Sequence, residues 1–488
     1  MALSTNALAD YWWVNAGDIY AEPYPTPEAA CTWTINYNDT YYRDHNLDYT
    51  LTSNTMEYIR DDFYRCTLVY YSAKENRTKV PHGVLYRRGT PCSTGSFNKI
   101  SGTCTQNEEK GDSSYACSPS PDLFALNPIN ISNGNKFQKE FDYSSPSSSS
   151  LALIRYYNGL DGTWRHNYSS HLKLIVGIVG LVRNDGRETS FPVSGEVVST
   201  PPGESGVIRK NNQDWVYSDI SGEEFTYNNE GRLTTWKSAD NKVIHLIYTD
   251  SNIIIEDEFG EHLELTEDNL HQPLKLQTST GEITYSYSSS GALTQVDKKL
   301  QGKTTSRKYH YEDPQNPKLL TGITDELGIR YATWSYDDKG RAVESLHAGQ
   351  ADHGSVTYNS DGSTSVTNEY GKKTTYRFQA FQGVKRVTSI QGEPTPNCPY
   401  SNSVFTYDTN GLLKTRTDAK GNLTTYDYND RGLETSRTEA AGSPQARTIT
   451  TEWHPTLFLK TKVTEPSRIT TYQYDAQGRQ TGQIVTPR

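Results

Sequence analysis

The sequence predicts an all-β chain. Antiparallel hairpins run end to end as one long spiralling sheet, behind a small, cysteine-containing, β-rich N-terminal domain. Three observations predict this. The stretch Tyr407–Gly432, YDTNGLLKTRTDAKGNLTTYDYNDRG, reads as two alternating runs and two glycine-closed turns, and its pattern restarts 21 residues on, at Tyr428. The same unit recurs through the second half of the chain, the signature of a repeat architecture. Composition fits a wide sheet with one wet face: hydrophobic residues, counting Tyr, make up 34% and Tyr alone supplies 35 of 488 residues. A close-packed globule runs at roughly 45–50% on a similar count. Aromatic content of 11% and a net charge of −10 argue against a disordered polar chain.

Residues 1–120 form the first expected domain, rich in Tyr, Trp, Asn, Asp and Cys and without the 21-residue period. Five of the six cysteines lie here: Cys31, Cys66, Cys92, Cys104 and Cys117, with Cys398 apart. The intervening spacings of 34, 25, 11 and 12 residues match no zinc pattern, which needs close cysteine pairs. All five are therefore disulfide candidates, and they imply an oxidising compartment. At least two bridges are expected among them. Cys92–Cys104 closes the shortest loop and is the expected pair, and one cysteine is left over or joined to Cys398. The start, MALSTNALADYWW, has neither the basic nor the apolar region of an export signal. Either such a signal has been removed or the cysteines are reduced; removal is the expectation. The clusters Tyr11-Trp12-Trp13 and Tyr41-Tyr42 suit a disulfide-stapled core. They would equally suit a surface for a sugar or a protein partner.

A head region follows, over 121–220. It contains Asn127-Pro-Ile-Asn130, Gly134-Asn135-Lys136-Phe-Gln138, the alternating strand Leu151–Asn158 that ends Arg155-Tyr-Tyr157-Asn158, and Gly162-Thr-Trp164-Arg165-His166-Asn-Tyr168. The apolar run Leu174–Val182 falls far short of the roughly 20 residues of a membrane helix and reads as a buried strand pair. Asn184-Asp-Gly186-Arg187 is a hairpin turn signal.

The repeats occupy 221–488. Copies begin at Tyr227 (with Gly231 and Arg232), Tyr287 (Gly291), Tyr336 (Gly340, Arg341), Tyr358 (Gly362), Tyr407 (Gly411), Tyr428 (Gly432) and Tyr474 (Gly478, Arg479). Tyr311, Phe378 and Trp453 hold the tyrosine place in degenerate copies, and the gap before Tyr287 has room for a faded copy near Leu265. Glycine closes each turn because it takes positive φ without a Cβ clash. Thr424, Tyr426 and Tyr428 share one face of their strand, and Leu423, Thr425 and Asp427 the other. Tyrosine suits such a sheet, with an apolar ring and a polar tip. The recurring arginines are expected to contact an Asp of a neighbouring turn. A β-propeller is the fold alternative, since two units equal one blade of about 40–45 residues. Steps that drift between 20 and 25 residues favour a spiral over a closed ring.

In order, the motifs NPIN-x-x-x-GNK-x-Q, RYYN, G-x-WRHNY and DGRE resemble the head that precedes the repeats in bacterial RHS proteins. The Tyr-Asp units from Tyr227 onward resemble the RHS/YD repeats of those proteins, and the likeness covers about residues 125–488. The resemblance implies repeats paired edge to edge into a hollow β-shell around a C-terminal toxin or other passenger. In the family, self-cleavage at an Asp-Pro-x-Gly motif after the repeats frees that passenger. Here the sole Asp-Pro is Asp313-Pro314, followed by Gln315 in mid-array, so the cleavage role is not carried over. Core, cleavage site and passenger are not found before Arg488. The expectation is an N-terminal part whose partner is its own C-terminal continuation.

Signatures of bond chemistry are hard to find. The sequence holds no GxSxG, HExxH, P-loop or GxGxxG. Asp408–Gly411 has the outline of a calcium loop, but Thr417 stands where an EF-hand needs Glu. Asp and Asn there are turn residues. His166 is the one candidate general base, yet no nucleophile stands out to partner it, and a structural role is expected. No catalytic, cofactor or metal residue is assigned, and no cofactor is expected. Acidic charge without a basic run argues against nucleic acid. The expected function is a non-enzymatic structural shell, secreted or on the cell surface, of a polymorphic-toxin-like protein. The alternative is an adhesin or carbohydrate-binding protein that meets a cell-surface glycan or protein through the aromatic N-terminal domain. An enzyme acting on a surface polymer is a third reading, for which the sequence offers no constellation.

Overall fold

Tyr-turn-Gly hairpins make the bulk of the protein. The computed structural model describes residues 11–14, 27–45, 47–60, 63–88, 96–98, 103–105, 110–111, 123–145, 151–201, 204, 206–239, 242–249, 252–381, 384–392, 402–455, 457–475 and 480–488. The chain divides into two units. One comprises Met1–Glu108, Leu172–Val182 and Glu188–Pro201, and the other Glu109–His171, Arg183–Arg187 and Pro202–Arg488.

In the first unit a helix, Pro27–Asp44, lies on a nine-stranded sheet. The helix was not expected from the sequence. Ala30, Cys31, Thr34 and Tyr42 recur at helical spacing and are buried. Ala30, Cys31 and Tyr42 pack on Tyr49, Tyr64, Cys66, Leu68, Tyr70 and Leu85 of the sheet. A disulfide joins Cys31 to Cys66, tying the first turn of the helix to the centre of the strand Phe63–Ser72. Cys92, Cys117 and Cys398 lie outside the described residues, as does the side chain of Cys104, and with them the expected Cys92–Cys104 bridge. The backbone of Tyr11-Trp12-Trp13 forms an edge strand against Arg88–Tyr86, its side chains outside the described residues.

The apolar run Leu174–Val182 forms neighbouring strands, as read, buried on either side of an exposed bend at Val176. It bends at Gly177, φ +80°, between the strands His171–Ile175 and Ile178–Val182. Leu172, Ile175, Val179, Leu181 and Val182 are buried. Ile175 pairs in parallel with Met56, so these strands, which lie in the 121–220 region, extend the sheet built by residues 49–88.

The second unit starts with a three-stranded sheet, Phe137–Ser144, Ala152–Asn158 and Thr163–His166. Then comes a single sheet of 26 strands, from Val207–Asn211 to Gln480–Pro487. Each strand is antiparallel to its neighbours, the order follows the chain without a crossover, and the sheet is not closed. That is the expected hairpin array and not the separate blades of a propeller. Among the described residues no helix is long and apolar enough to cross a membrane.

Each turn of the array has the same internal logic. Asp408 Oδ1 accepts the amides of Asn410 and Leu412, both at 2.9 Å, while the amide of Gly411 donates to the Asp408 carbonyl at 3.1 Å. Asp337 and Asn429 cap their turns the same way. Asp-x-Asn-Gly at 408–411 is thus turn chemistry, since an Asx side chain there satisfies two amides that the hairpin cannot. Closing on glycine adds one residue to the following strand. Register therefore slips where Tyr336 faces Ala342, Tyr407 faces Leu413 and Tyr428 faces Glu434, a β-bulge repeated along the array.

Candidate functional site

The bulge explains the tyrosine. It disturbs the ladder at the first residue of the strand that leaves each turn, and that residue's carbonyl needs a donor. The tyrosine of the next unit supplies it. Tyr248 donates to the Leu233 carbonyl at 2.9 Å, Tyr287 to Pro273 at 2.7 Å, Tyr358 to Ala342 at 2.7 Å and Tyr474 to Lys460 at 2.7 Å; Tyr407 donates at 2.8 Å to Val387, which faces the bulge at Phe378 from inside the strand Val384–Gly392. Trp453, a degenerate copy, does the same with its indole N–H to the Glu434 carbonyl at 2.8 Å. Tyr336 reaches the Leu320 carbonyl at 2.6 Å. Tyr227, in the first copy, instead meets Ser170 of the head at 2.7 Å. Tyr428 packs against the cluster of Leu123, Val387, Phe405, Leu413 and Tyr426.

Gly231, Gly291, Gly340, Gly411 and Gly432 all hold positive φ; Gly478 and Arg479 lie outside the described residues. The expected arginine contact with a neighbouring turn's Asp is corrected. Arg341 forks onto Asp337 of its own turn at 2.8 and 2.6 Å and lays its guanidinium 4.0 Å from the Tyr358 ring of the next unit. Arg232 lies 3.6 Å from Glu230 of its own turn and 5.2 Å from the Tyr248 ring. After glycine the side chain points back along its turn, so the ring beside it is the available long-range partner. Neighbouring turns are bridged by Arg431, which donates to the carbonyls of His454, Pro455 and Leu457 at 2.7–2.8 Å.

The motifs of the head assemble against one face of the array. Alternation along LALIRYYN puts Leu153, Arg155 and Tyr157 on one side, and all three are buried. Arg155, wholly buried, forks onto Asp142 and donates to the Tyr309 hydroxyl at 2.7 Å. The Tyr285 hydroxyl donates to Asp142 at 3.0 Å, and Lys298 lies 3.3 Å from the same carboxylate. The guanidinium sits 4.6 Å from the Trp164 ring and 5.2–5.3 Å from those of Tyr309 and Tyr285. Burial pushes the Asp142 carboxyl up, but Arg155, Lys298 and Tyr285 outweigh it and hold the pKa below the ordinary carboxylate value. Burial lifts Tyr285 and Tyr309 well above the usual phenol.

Further along the same face, Trp164 donates to the Tyr311 hydroxyl at 2.9 Å. The Tyr157 hydroxyl donates to the Lys318 carbonyl at 2.7 Å and accepts the Leu320 amide at 2.9 Å. The loop of NPIN-x-x-x-GNK docks by backbone: the Ala342 amide donates to the Gly134 carbonyl at 3.0 Å, and Lys385 to the Ser132 carbonyl at 2.7 Å. Gly134 holds φ +85°, and a Cβ there would stand 2.4 Å from that of Arg341.

His166 is wholly buried. Its Nδ1 accepts the Tyr168 amide at 3.2 Å, so the proton is on Nε2, which donates to Glu267 at 2.9 Å. The other oxygen of Glu267 meets His271 at 2.8 Å. Burial raises the Glu267 carboxyl, and the two histidines bring it far below the ordinary range. Glu267 faces Pro273 across a bulge, so it holds the tyrosine position of the faded copy near Leu265. Tyr285, Tyr309 and Glu267 were not singled out from the sequence, and Arg155 was read only as part of a motif, with no partner such as Asp142 assigned to it. An arginine at an inward position of an apolar alternation is the signal that could have found Arg155. Among the described residues no group of three or more His, Cys, Asp or Glu could hold a metal ion.

Two family models match the chain: a domain of unknown function, DUF6531, over residues 126–191, and RHS Repeat over residues 407–444. No curated protein matches. Among solved structures, TcdB2-TccC3-TEV is 13% identical, with 72% of this chain and 19% of that one covered at a TM-score of 0.31. The Tc holotoxin pore of Photorhabdus luminescens is 11% identical, with 74% and 19% covered at a TM-score of 0.31. TcdB2-TccC3 without its hypervariable C-terminal region is 11% identical, with 90% and 26% covered at a TM-score of 0.28. The chain thus spans 19–26% of the length of these structures.

Proposed function

We propose that the chain, whose residues 407–444 match the RHS Repeat model and whose array repeats the same unit, is the non-enzymatic structural shell of an exported RHS/YD-repeat protein, enclosing or presenting a C-terminal toxin or other passenger. The observation that supports this most is the occupied face of the array. Residues of the head meet that face from Tyr227, through Ser170, to Tyr426, through Leu123. A sheet that already holds segments of its own chain on one face can offer that face to more of it. Links from Tyr248, Tyr287, Tyr358, Tyr407 and Tyr474 to preceding carbonyls stiffen such a wall. RHS proteins are generally extracellular or on the cell surface, which agrees with a disulfide at Cys31–Cys66.

The test is protease protection. A reporter domain fused after Arg488 should survive a protease that digests the same reporter alone. Equal digestion rates would overturn the enclosing role. Hydrolase or transferase activity of the chain, lost on His166→Ala, would overturn the non-enzymatic one.

One observation favours the adhesin reading for the first unit. Tyr37 and Tyr41 are 53% and 44% exposed on the helix, with the His45 ring stacked on Tyr41 at 4.2 Å. Exposed rings of this kind suit stacking on sugar faces. Glycan-array binding that disappears on deleting residues 1–120 would support it, and no binding by the intact chain would exclude it.

A further inference from the structure

The helix Pro27–Asp44 is held to its sheet differently at its two ends. Its second half is packed and hydrogen-bonded. The Tyr42 ring lies 5.1 Å from that of Tyr49 and 4.9 Å from that of Tyr70. The Tyr70 hydroxyl donates to Asp39 Oδ1 at 2.7 Å, with the Ile35 carbonyl 3.3 Å away. Near the start of the helix, Ala30 brings one buried methyl group, and the Thr34 hydroxyl turns back to the Ala30 carbonyl at 3.2 Å. The strong tie there is covalent: the disulfide from Cys31 to Cys66, at the middle of the strand Phe63–Ser72.

The helix is weak in itself. Thr32, Thr34, Ile35 and Thr40 are β-branched, and Asn36, Asn38 and Asp39 favour other conformations. The bond of Thr34 to the carbonyl four residues back loosens that turn further. Its 18 residues barely exceed the length of about 12–15 at which even alanine-rich helices are marginal alone. The sheet beneath has its own support. Phe63–Ser72 pairs with Tyr49–Arg60 on one side and His82–Arg88 on the other, so its ladder does not depend on the helix.

We propose that the Cys31–Cys66 bridge is a redox catch, whose reduction frees residues 27–34 from a sheet that stays folded. A thiol reductant supplies the two electrons. Its thiolate attacks Cys31 Sγ, since Cys31 is 7% exposed and Cys66 wholly buried. Helix ends open readily, and Cys31 is the fifth residue of its helix. The S–S bond breaks, and Cys66 leaves as a thiolate that takes up a proton. A second reductant thiol then displaces Cys31 from the mixed disulfide. The products are two protein thiols and one disulfide of the reductant. The catch thus closes in an oxidising compartment and opens in one that keeps thiols reduced. Opening uncovers apolar sheet around Cys66, whose cluster includes Tyr64, Leu68 and Leu85. The device stands on unit-one geometry and holds whether or not the array encloses a passenger.

Hydrogen exchange of the full chain, with and without a dithiol reductant, tests this. Reduction should speed exchange of the amides of residues 28–34 by about tenfold or more, while Phe63–Ser72 keeps its protection. Reoxidation should restore the slow pattern. The double variant Cys31→Ala with Cys66→Ala should show the fast pattern without reductant and ignore its addition. Unchanged exchange in the helix, with both thiols shown free by alkylation, overturns the proposal. Loss of protection in Phe63–Ser72 along with the helix overturns it too, because no folded sheet remains. So does a bridge that the dithiol cannot reduce in the folded chain. The reduced wild-type protein decides alone if the double variant does not fold.

Discussion

The Tyr358 hydroxyl donates to the Ala342 carbonyl at 2.7 Å, joining one repeat to the bulge of the repeat before it. Ala342 is wholly buried, so its carbonyl has no water to turn to. Tyr358→Phe keeps the ring and removes the donor. It should cost about 1–3 kcal/mol, the penalty of an unsatisfied buried acceptor. Hydrogen exchange of the amides from Ala342 to Tyr358 should accelerate accordingly, while unchanged exchange would show that the hydroxyl contributes nothing.

Tyr428 and Lys420 make a paired comparison of ring and tip. Tyr428→Ala should destabilise by about 2–4 kcal/mol, as for other packed aromatics. Lys420→Ala sits at an exposed turn tip and should change stability by no more than about 0.5 kcal/mol. Denaturant midpoints for the two variants would be read side by side. Equal effects would break the assignment of turns and faces.

Arg155→Leu strands the carboxylate of Asp142 inside the protein with only Lys298 for a counter-charge. The expected loss is about 3–5 kcal/mol. The double variant Arg155→Leu with Asp142→Leu should lose less than the single, because no charge is left unpaired. A double variant worse than the single would mean that the pair stabilises through shape and not through charge balance.

Glu223 gives the array a pH signature. Burial, then the charge of Asp219, lifts its pKa from 4.5 to about 7. A raised acid stabilises the fold while it is protonated. Its contribution is complete below about pH 4.5 and is lost as pH rises through about 7. Glu223→Gln keeps an acceptor for the Trp236 indole and should flatten the decline between these pH values. Melting temperatures of both proteins across that range check it; parallel curves would remove Glu223 as the cause.

In the first unit, replacing Cys31 and Cys66 by Ala opens a loop of 35 residues. Chain entropy predicts a loss of about 3–4 kcal/mol. Non-reducing peptide mapping should recover the two cysteines in one linked fragment, and finding both alkylated without prior reduction would contradict the bridge.

The repeat units were legible because each is a local event. Tyr407 to Gly411 contains its own cap, its own positive-φ glycine and its own strand alternation, so nothing distant is needed to read it. What was not legible depends on partners far along the chain. Arg341 looked like a link between turns, yet Asp337 is four residues away and wins on proximity. The helix Pro27–Asp44 carries few strong helix formers, and its inner positions become a helical face only once the sheet of Tyr64, Leu68 and Tyr70 covers them. Cys31 meets Cys66 through that same packing, which spacing alone could not single out among the five candidates. Asp142 gave no sign in the sequence, since Tyr285 and Tyr309 lie 143 and 167 residues away from it.

The strict chain order of the array sets a timetable for biosynthesis. Hairpin contacts are short-range, so each repeat can close as soon as it is made. The head cannot. Arg155 waits for Tyr309, 154 residues downstream, before its charge is covered. At ribosomal rates that is on the order of ten seconds or more. During that interval the nascent chain carries the Arg155–Asp142 pair and the Trp164 ring without the array tyrosines that cover them in the folded protein. A chaperone that holds nascent polypeptide would find its substrate there, and pausing of translation between residues 170 and 309 would lengthen the exposure.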